Sequence, residues 1–356
     1  MKKEIFVKEA QKISRRGFIQ KAATGLAVGV YGASASSSSA AENQPAARGK
    51  CNRLPREVWV ASLTVRGLSA DSSENLVSKV LKRMEEVTPY QPDIVCLTEL
   101  FGYMNVRPKP PVSEIAETVP GPICKRIGNY AKKNNCYVIC PIYTKQNGRI
   151  YNASVLINRQ GKVVGEYRKA RPTISEIEKK STTPGPLKPP VFKTDFGTIG
   201  MQICFDVNWY DGWHYLRKAG AEIVFWPSAF AGGELINSLA RLNEYYIVTS
   251  ARYNPTRVID VTGDELATSS QYTDWVCAPV NLEKASVHIW PYVKKFKALR
   301  AKYGRKLRIR ILGHENGAVI ESLSPEVKIA EILKEFEIPT FEEYLTQTEK
   351  VQAKHR

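Results

Sequence analysis

Three side chains with complementary chemistry follow three predicted strands of the chain. The stretch PDIVCLT precedes Glu99, KVVGEYR precedes Lys169, and TIGMQI precedes Cys204. A thiol can attack a carbonyl carbon, a carboxylate can carry the proton that the thiol loses, and an ammonium group can stabilise the charge that develops on the carbonyl oxygen. Together these residues could hydrolyse a bond next to a carbonyl group through a covalent intermediate.

The sequence around Cys204 predicts a turn between a strand and a helix. The apolar run ends at Cys204, Phe205-Asp206-Val207-Asn208 interrupts the pattern, and residues 209–219 have amphipathic helical spacing. A turn of this kind exposes its side chain and offers backbone N–H groups. The positive end of the helix dipole is expected to shift the thiol toward the thiolate form.

Each residue alone also has an ordinary structural explanation. Cysteine is among the most buried residue types, so Cys204 could simply pack in the core. Glu99 could be the first solvated residue of a loop, or an active-site carboxylate at the C-terminal edge of a sheet. Their combination, rather than any single residue, favours catalysis.

The positions of these residues depend on the surrounding strands and helices. The sequence predicts strands at 57–64, 92–99, 136–143, 150–158, 162–168, 198–203, 221–227, 247–252, 257–261 and 275–280, and helices at 72–87, 122–134, 209–219 and 234–245. Arg159-Gln160-Gly161 indicates a hairpin between two of the strands. Alternating helices and strands, several of them apolar on both faces, predict an α/β architecture with mixed sheets.

The charge distribution favours no nucleic-acid partner. The 356-residue chain has a formal charge of +17, of which residues 1–41 contribute +5 and the remainder +12. Lys294 to Arg310 holds nine cationic residues in seventeen, with apolar residues between them. We interpret this segment as the solvated face of a helix, because the sequence contains no nucleic-acid-binding motif.

Cysteine and histidine spacing argues against a metal site. The seven cysteines form no CxxC pair, and the only histidines are His214, His288, His314 and His355. Neither pattern fits a tetrahedral zinc site, so we predict no metal site.

The N-terminus predicts export. SRRGFIQ, residues 14–20, resembles a twin-arginine signal, and a weakly apolar run and small residues follow it. We therefore predict a signal peptide with a Ser/Ala-rich segment at 1–41 and a flexible lead-in at 42–55. The apolar run is too short to span a bilayer, so we predict no stable membrane span. The twin-arginine translocation machinery would deliver the protein to the periplasm or the cell exterior.

Four motifs resemble the carbon–nitrogen hydrolase family, also called the nitrilase superfamily. They are PDIVCLTEL around Glu99, YNASVLINRQGKVVGEYRK leading to Lys169, FGTIGMQICFD around Cys204, and GAEIVFWPSA over 220–229. The resemblance implies a domain over 56–284, followed by a basic C-terminal extension over 285–356. It also implies a four-layer α-β-β-α sandwich that forms a homodimer or larger homo-oligomer across a helical face. The resemblance implies no cofactor.

The resemblance also implies roles for individual residues. Cys204 would be the nucleophile, Glu99 the general base, and Lys169 together with the N–H of Phe205 the oxyanion hole. Glu176 would be a second, positioning glutamate, although Glu178 lies only two residues away. We expect the substrate pocket to include the side chains of Phe205, Tyr103, Trp209, Trp226 and Ser228.

The residues after the nucleophile indicate the substrate class. Phe205-Asp206 is similar to the amidase and N-carbamoyl hydrolase branches, whereas true nitrilases usually have Trp-Glu there. A small amide or carbamoyl compound is therefore expected rather than a nitrile. Three alternatives remain open: a nitrilase, a papain-like enzyme that uses His288, and a binding protein without catalytic activity on the same fold.

Overall fold

The structure is a computed structural model that describes residues 54–356. The predicted signal segment at 1–41 and residues 42–53 of the lead-in lie outside the described residues. In the described part, no helix has the length and apolar character needed to cross a membrane.

The strands and helices alternate along most of the chain. The strands are β1 (Glu57–Leu63), β2 (Ile94–Cys96), β3 (Tyr137–Gln146), β4 (Arg149–Ile157), β5 (Val163–Arg168), β6 (Val191–Lys193), β7 (Thr198–Met201), β8 (Ile223–Ser228), β9 (Tyr246–Ala251), β10 (Arg257–Ile259), β11 (Glu265–Thr268), β12 (Trp275–Asn281), β13 (Lys284–His288), β14 (Leu307–Leu312) and β15 (Gly317–Ser322). The helices are α1 (Ser73–Met84), α2 (Val112–Ile115), α3 (Pro122–Lys133), α4 (Ile174–Lys180), α5 (Tyr210–Lys218), α6 (Gly233–Asn243), α7 (Phe296–Tyr303), α8 (Ile329–Glu335) and α9 (Phe341–Ala353).

The two large sheets each contain six strands. The first has the order β12-β1-β2-β3-β4-β5 and the second β11-β10-β9-β8-β7-β6. In the first sheet β1, β2 and β3 are parallel, whereas β4 and β5 form the predicted antiparallel hairpin. In the second sheet β7, β8 and β9 are parallel. Both sheets are therefore mixed, as the sequence predicts.

Helices cover the outer face of each sheet. Val95, Val138 and Val155 of the first sheet pack with Val77 of α1 and Ile127 of α3. On the second sheet, β8 and β9 pack against α5 and α6. The inner faces meet in a core that contains residues such as Ile94 and Phe225. These layers confirm the predicted four-layer α-β-β-α sandwich.

Helix α3 approaches the β4–β5 hairpin more closely than side chains would permit. A Cβ atom built on Gly128 of α3 would lie 2.5 Å from the carbonyl oxygen of Gly161 in the hairpin turn. Gly161 itself has a φ of 76°, in the left-handed region that favours glycine. The two glycines allow the backbones of the helix and the turn to pack directly together.

The residues after β12 form a third, smaller sheet with its own core. Its order is β13-β15-β14, and Val287 and Ile320 pack there with Phe296 of α7 and Ile332 of α8. The interpretation of 294–310 as one helical face is wrong for its last residues: α7 and two flanking 3₁₀ helices, Tyr292–Lys295 and Gly304–Lys306, end before β14 begins at Leu307. Gly304 has a φ of 51° at the end of α7, and apolar and basic residues then alternate with the period of a strand.

Candidate active site

The three residues singled out by their chemistry lie at neighbouring ends of the two sheets. Glu99 follows β2, and Lys169 follows β5 directly, both in the first sheet. Cys204 follows β7 of the facing sheet. Strand β4 fixes the backbone of Lys169, since the Asn152 carbonyl accepts a hydrogen bond from the Lys169 N–H at 2.8 Å. All three side chains are buried, and Cys204 retains 7% of its surface exposed.

Lys169 bridges two buried carboxylates. Its Nζ lies 2.9 Å from Oε1 of Glu99 and 2.9 Å from Oε2 of Glu176. Although burial alone would lower the pKa of Lys169, the charges of Glu99, Cys204 and Glu176 raise it above its ordinary value. Lys169 is therefore a fixed positive charge.

Asn152 was not predicted as a site residue but links the same carboxylates. Its Nδ2 donates to Oε1 of Glu99 at 2.8 Å and to Oε1 of Glu176 at 2.7 Å. A single amide group thus holds both glutamates at the distance required by Lys169. The only sequence signal for this role is a polar side chain in the middle of a buried strand.

The position of Glu176 follows from the start of α4. Thr173 caps the helix by accepting from the Glu176 N–H at 3.2 Å, and the Glu176 carboxylate accepts from the Thr173 N–H at 2.9 Å. This capping box turns Glu176 inward, toward Lys169. Glu178 is exposed, so the structure brings Glu176 into the cluster and leaves Glu178 outside it.

Cys204 lies in the predicted turn between a strand and a helix, with a short 3₁₀ helix between β7 and α5. The 3₁₀ helix spans Cys204–Asn208, and Cys204 has a φ of 46°. This left-handed backbone costs a non-glycine residue on the order of 1–3 kcal/mol. The Trp226 indole N–H stabilises the turn by donating to the Cys204 carbonyl at 3.1 Å.

The expected shift of Cys204 toward thiolate is wrong. Burial, followed by the charge of Glu99, raises the pKa of Cys204 to about 12. Lys169, the Ala229 N–H and the Ser228 hydroxyl oppose this rise without overcoming it. The resting residue is therefore a thiol, and a nearby base must take its proton before or during attack.

Asp206 connects the cysteine turn to the segment that carries Lys169, a role that the sequence did not predict. Its carboxylate accepts from the Ile203 N–H at 2.8 Å, the Arg171 N–H at 2.8 Å and the Tyr167 hydroxyl at 2.7 Å. Burial raises the pKa of Asp206 to about 6, although these hydrogen bonds and Lys169 oppose the rise. The two segments are held together across the gap between the sheets.

The five predicted pocket residues fall into different positions. Ser228 adjoins Cys204, and the N–H of Phe205 donates no hydrogen bond within the described residues. Trp209 packs on Phe205 with ring centres 5.3 Å apart. Tyr103 packs on Tyr143. Trp226 is fully buried and supports the cysteine turn through its hydrogen bond to the Cys204 carbonyl.

His288 lies in a different part of the molecule from these residues. It belongs to β13, its ring stacks on Tyr344 of α9 with centres 4.4 Å apart, and its Nδ1 lies 2.7 Å from the Trp290 carbonyl oxygen. The structure does not bring it to Cys204, which argues against the papain-like alternative. Within residues 54–356, no group of three His, Cys, Asp or Glu side chains is arranged to hold a metal ion.

The sequence motifs around this site match a known family. Residues 60–286 match the family described as carbon-nitrogen hydrolase, which is more than half of the chain. The chain belongs to the carbon–nitrogen hydrolase family. The family region covers both large sheets and ends within β13, so most of the third sheet lies beyond it.

Curated relatives match parts of this family region. The chain is 33% identical over 163 residues to deaminated glutathione amidase of Mus musculus, which covers 39% of this chain and 50% of that protein. It is 34% identical over 124 residues to β-ureidopropionase of Arabidopsis thaliana, covering 33% of this chain and 30% of that protein. The chain therefore spans about half the length of these relatives or less.

Solved structures share the fold. A mutant of an amidase from Nesterenkonia sp. AN1 in complex with acrylamide has a TM-score of 0.57 and 16% identity, over 72% of this chain and 99% of that chain. Nit3 of Saccharomyces cerevisiae, a member of branch 10 of the nitrilase superfamily, has a TM-score of 0.56 and 20% identity, over 71% and 97%. At these sequence identities the structural likeness establishes the fold alone.

Proposed function

We propose that the protein hydrolyses a C–N bond of a small amide or N-carbamoyl compound through a thioester on Cys204. The observation that carries the proposal is the Lys169 ammonium, fixed between Glu99 and Glu176 beside a buried thiol on a strained turn. The family membership supports hydrolysis. In a mutant of the Nesterenkonia amidase, the acetamide moiety of fluoroacetamide is covalently added at the active-site cysteine.

Acylation begins with proton transfer from the Cys204 thiol to Glu99. The sulfur attacks the carbonyl carbon, and the resulting oxyanion is stabilised by the Lys169 ammonium and the unpaired N–H of Phe205. When the C–N bond breaks, Glu99 returns its proton to the departing nitrogen. The products of this step are the free amine or ammonia and a thioester.

Hydrolysis of the thioester reuses the same groups. Glu99 removes a proton from water, the hydroxide attacks the thioester carbon, and the C–S bond breaks. The proton on Glu99 then passes to the departing sulfur, which restores the thiol. Glu176 and Asn152 hold Glu99 and Lys169 in place through both steps and take no proton themselves.

A screen of ammonia release over primary amides, N-carbamoyl compounds and nitriles tests this function. The wild-type protein should release ammonia from at least one amide or carbamoyl compound, and Cys204→Ala should release none while retaining its thermal stability. Cys277→Ala, which changes a thiol on β12 outside the site, is the matched control and should remain active. Activity of Cys204→Ala, or inactivity of the wild type on every compound, would contradict the proposal. Ammonia release from nitriles alone would favour the nitrilase alternative over the amidase or N-carbamoyl hydrolase function.

We further propose that the protein forms a homodimer through a helical face. Exposed apolar side chains lie on three helices of this face, with Tyr210 on α5, Leu242 on α6 and Leu345 on α9. Arg217 and Lys218 of α5 join α9 through Glu342, at 3.2 and 3.0 Å, so the face is continuous.

The N-terminal motif supports a proposal about location. SRRGFIQ and the small residues after it fit export by the twin-arginine route to the periplasm or the cell exterior. Substrates of such an enzyme would be compounds that reach it outside the cytoplasm.

A further inference from the structure

Three cationic side chains converge on one backbone carbonyl in the loop that follows Glu99. The Met104 oxygen accepts from Nη1 of Arg107 at 3.3 Å, Nζ of Lys109 at 3.0 Å and Nη2 of Arg252 at 3.2 Å. Arg252 reaches this carbonyl from the end of β9, in the other sheet. One neutral oxygen therefore gathers three positive charges.

A fourth cation, Lys180, joins them at the end of α4. Nζ of Lys109 lies 4.1 Å from the centre of the Tyr103 ring, and Nζ of Lys180 lies 5.8 Å from the same centre. Among the described residues, none of the four cations forms an ion pair with a carboxylate. We refer to Arg107, Lys109, Lys180 and Arg252 as the cationic cluster.

The positive charges of the cationic cluster repel one another. Partial burial, followed by the charges of Arg107, Lys180 and Arg252, lowers the pKa of Lys109 to about 8. No acidic group contributes to this pKa. The cluster therefore carries an unfavourable concentration of positive charge that a bound anion would relieve.

Short chains of contacts connect the cluster to the catalytic residues. The Tyr103 ring packs edge-on against Tyr143, with centres 5.3 Å apart. The buried Tyr143 hydroxyl has no hydrogen-bond partner, and the charges of Glu176 and Glu99 help burial to raise its pKa.

A second connection runs through the other sheet. The Arg252 N–H donates to the Ser228 carbonyl at 2.9 Å, and the Ser228 hydroxyl adjoins Cys204. Helix α4 provides a third, because it carries Lys180 at its last turn and Glu176 at its first. Arg252 is thus one residue removed from Cys204, and Lys180 lies about one helical turn from Glu176.

We propose that the cationic cluster binds an oxyanion, either a carboxylate or a phosphate, at the far end of the amide substrate. This inference rests on the proposed C–N hydrolase function and adds the class of substrate to it. The Arg107 and Arg252 guanidinium groups supply planar pairs of donors, and the two lysines supply compact charges. The amide end reaches Cys204 while the anionic end stays at the cluster.

Turnover of paired substrates tests the inference. Glutaramate carries an amide and a carboxylate, and valeramide is a neutral amide of the same chain length. The wild type should have a kcat/KM at least about tenfold higher for glutaramate, and added salt should reduce this ratio. Lys109→Gln with Lys180→Gln should reduce the ratio by about tenfold or more. Lys179→Gln, a neighbouring exposed lysine on α4, is the matched control and should keep the wild-type ratio.

Binding to Cys204→Ala separates this inference from the proposed function. Glutarate should bind this variant in a calorimetric titration, and binding should weaken as pH rises through about 8, because Lys109 loses its charge. Titration with 4-phosphonobutyrate, in which a phosphonate replaces one carboxylate of glutarate, shows whether the site favours a phosphonate over a second carboxylate.

The outcomes are distinguishable. Equal kcat/KM for glutaramate and valeramide, or glutarate binding that survives loss of Lys109 and Lys180, would overturn the anion site while the hydrolase function stands. Glutarate binding that depends on both lysines, without hydrolysis of any amide, would retain the anion site and overturn the proposed function.

Discussion

The charge balance around Lys169 explains why the proposed nucleophile rests as a thiol. One ammonium lies between two carboxylates, so the trio of Lys169, Glu99 and Glu176 carries an excess negative charge when both acids are ionised. A thiolate would add a second negative charge in a buried site, which accounts for the raised pKa of Cys204. A substrate carbonyl changes this balance, because charge moves from sulfur to an oxygen that Lys169 can reach.

Replacing Glu99 should therefore separate thiol reactivity from catalysis. Glu99→Gln removes a negative charge that raises the pKa of Cys204, so iodoacetamide should label the thiol faster than in the wild type at pH 8. Turnover should nevertheless fall by about 10²-fold or more, because the proton carrier is lost. Labelling rate and ammonia release, measured on the same preparation, check the two effects.

Two further variants serve as comparisons for this prediction. Glu176→Gln should lower turnover but change labelling less, since Glu176 acts on Lys169 and not directly on the thiol. The exposed Glu178→Gln should change neither. Slower labelling of Glu99→Gln than of wild type would contradict this account of the thiol.

Asp206 should produce an acidic limit to activity. All three of its partners can donate, so the carboxylate form holds the cysteine turn and the Lys169 segment together. As pH falls through about 6, protonation removes this acceptor capacity and kcat should fall. Tyr167→Phe deletes a hydrogen bond that favours the ionised form, so the acidic limb should move to higher pH.

The pH dependence of kcat for wild type and Tyr167→Phe checks this assignment. Tyr137→Phe, at the opposite end of the first sheet, is the matched control and should leave the limb in place. An acidic limb at the same pH in Tyr167→Phe would mean that Asp206 does not control it.

At the scale of strands and helices, most of the architecture could be predicted from the sequence. Both-face-apolar strands are recognisable locally, and the ends of β2, β5 and β7 bring Glu99, Lys169 and Cys204 to one region as the motifs imply. Asn152 and Asp206 could not be assigned, because their partners lie on other segments and only the folded chain brings them together. The strand at the end of 294–310 could not be predicted, because basic residues suit both a helix face and an exposed strand.

The close contact between α3 and the β4–β5 hairpin predicts that Gly128→Ala destabilises the protein, although helix propensity alone favours alanine. Gly128→Ala should stabilise an isolated helix by about 1 kcal/mol. In the protein the new Cβ would lie 2.5 Å from the Gly161 carbonyl oxygen, and relieving such overlap typically costs about 1–3 kcal/mol. Urea unfolding should therefore show a net loss of stability. Lys132→Ala, on the exposed side of α3, is the control and should stay within about 0.5 kcal/mol of wild type. A more stable Gly128→Ala would show that the hairpin can move away freely.

At the scale of the whole molecule, the N-terminal motif and the enzyme should be separable. Arg15→Lys with Arg16→Lys keeps the charge of SRRGFIQ but removes the arginine pair that a twin-arginine signal resembles. This variant should accumulate in the cytoplasm as a longer, catalytically active precursor. Cell fractionation followed by immunoblotting and an activity assay checks it, with Lys21→Arg as the control outside the motif. Normal export of the double variant would point to another route.

The face formed by α5, α6 and α9 should determine the oligomeric state. Leu242 is 65% exposed and Leu345 is 47% exposed, and both lie on a surface that α9 extends beyond the family region. Burying them against a second copy would remove apolar area from water, and a stable interface typically buries about 1,600 Å² in total.

Sedimentation equilibrium should therefore give twice the chain mass for wild type. The double variant Leu242→Asp with Leu345→Asp should be a monomer, because the interface would then hold uncompensated charges. Leu266→Asp changes an equally exposed leucine on β11, outside the three helices of this face, and should remain dimeric. Thermal unfolding at the same concentration separates dissociation from misfolding, since the double variant should still unfold cooperatively. A dimer that both substitutions leave intact would place the contact elsewhere. A monomeric wild type would contradict the proposed dimer.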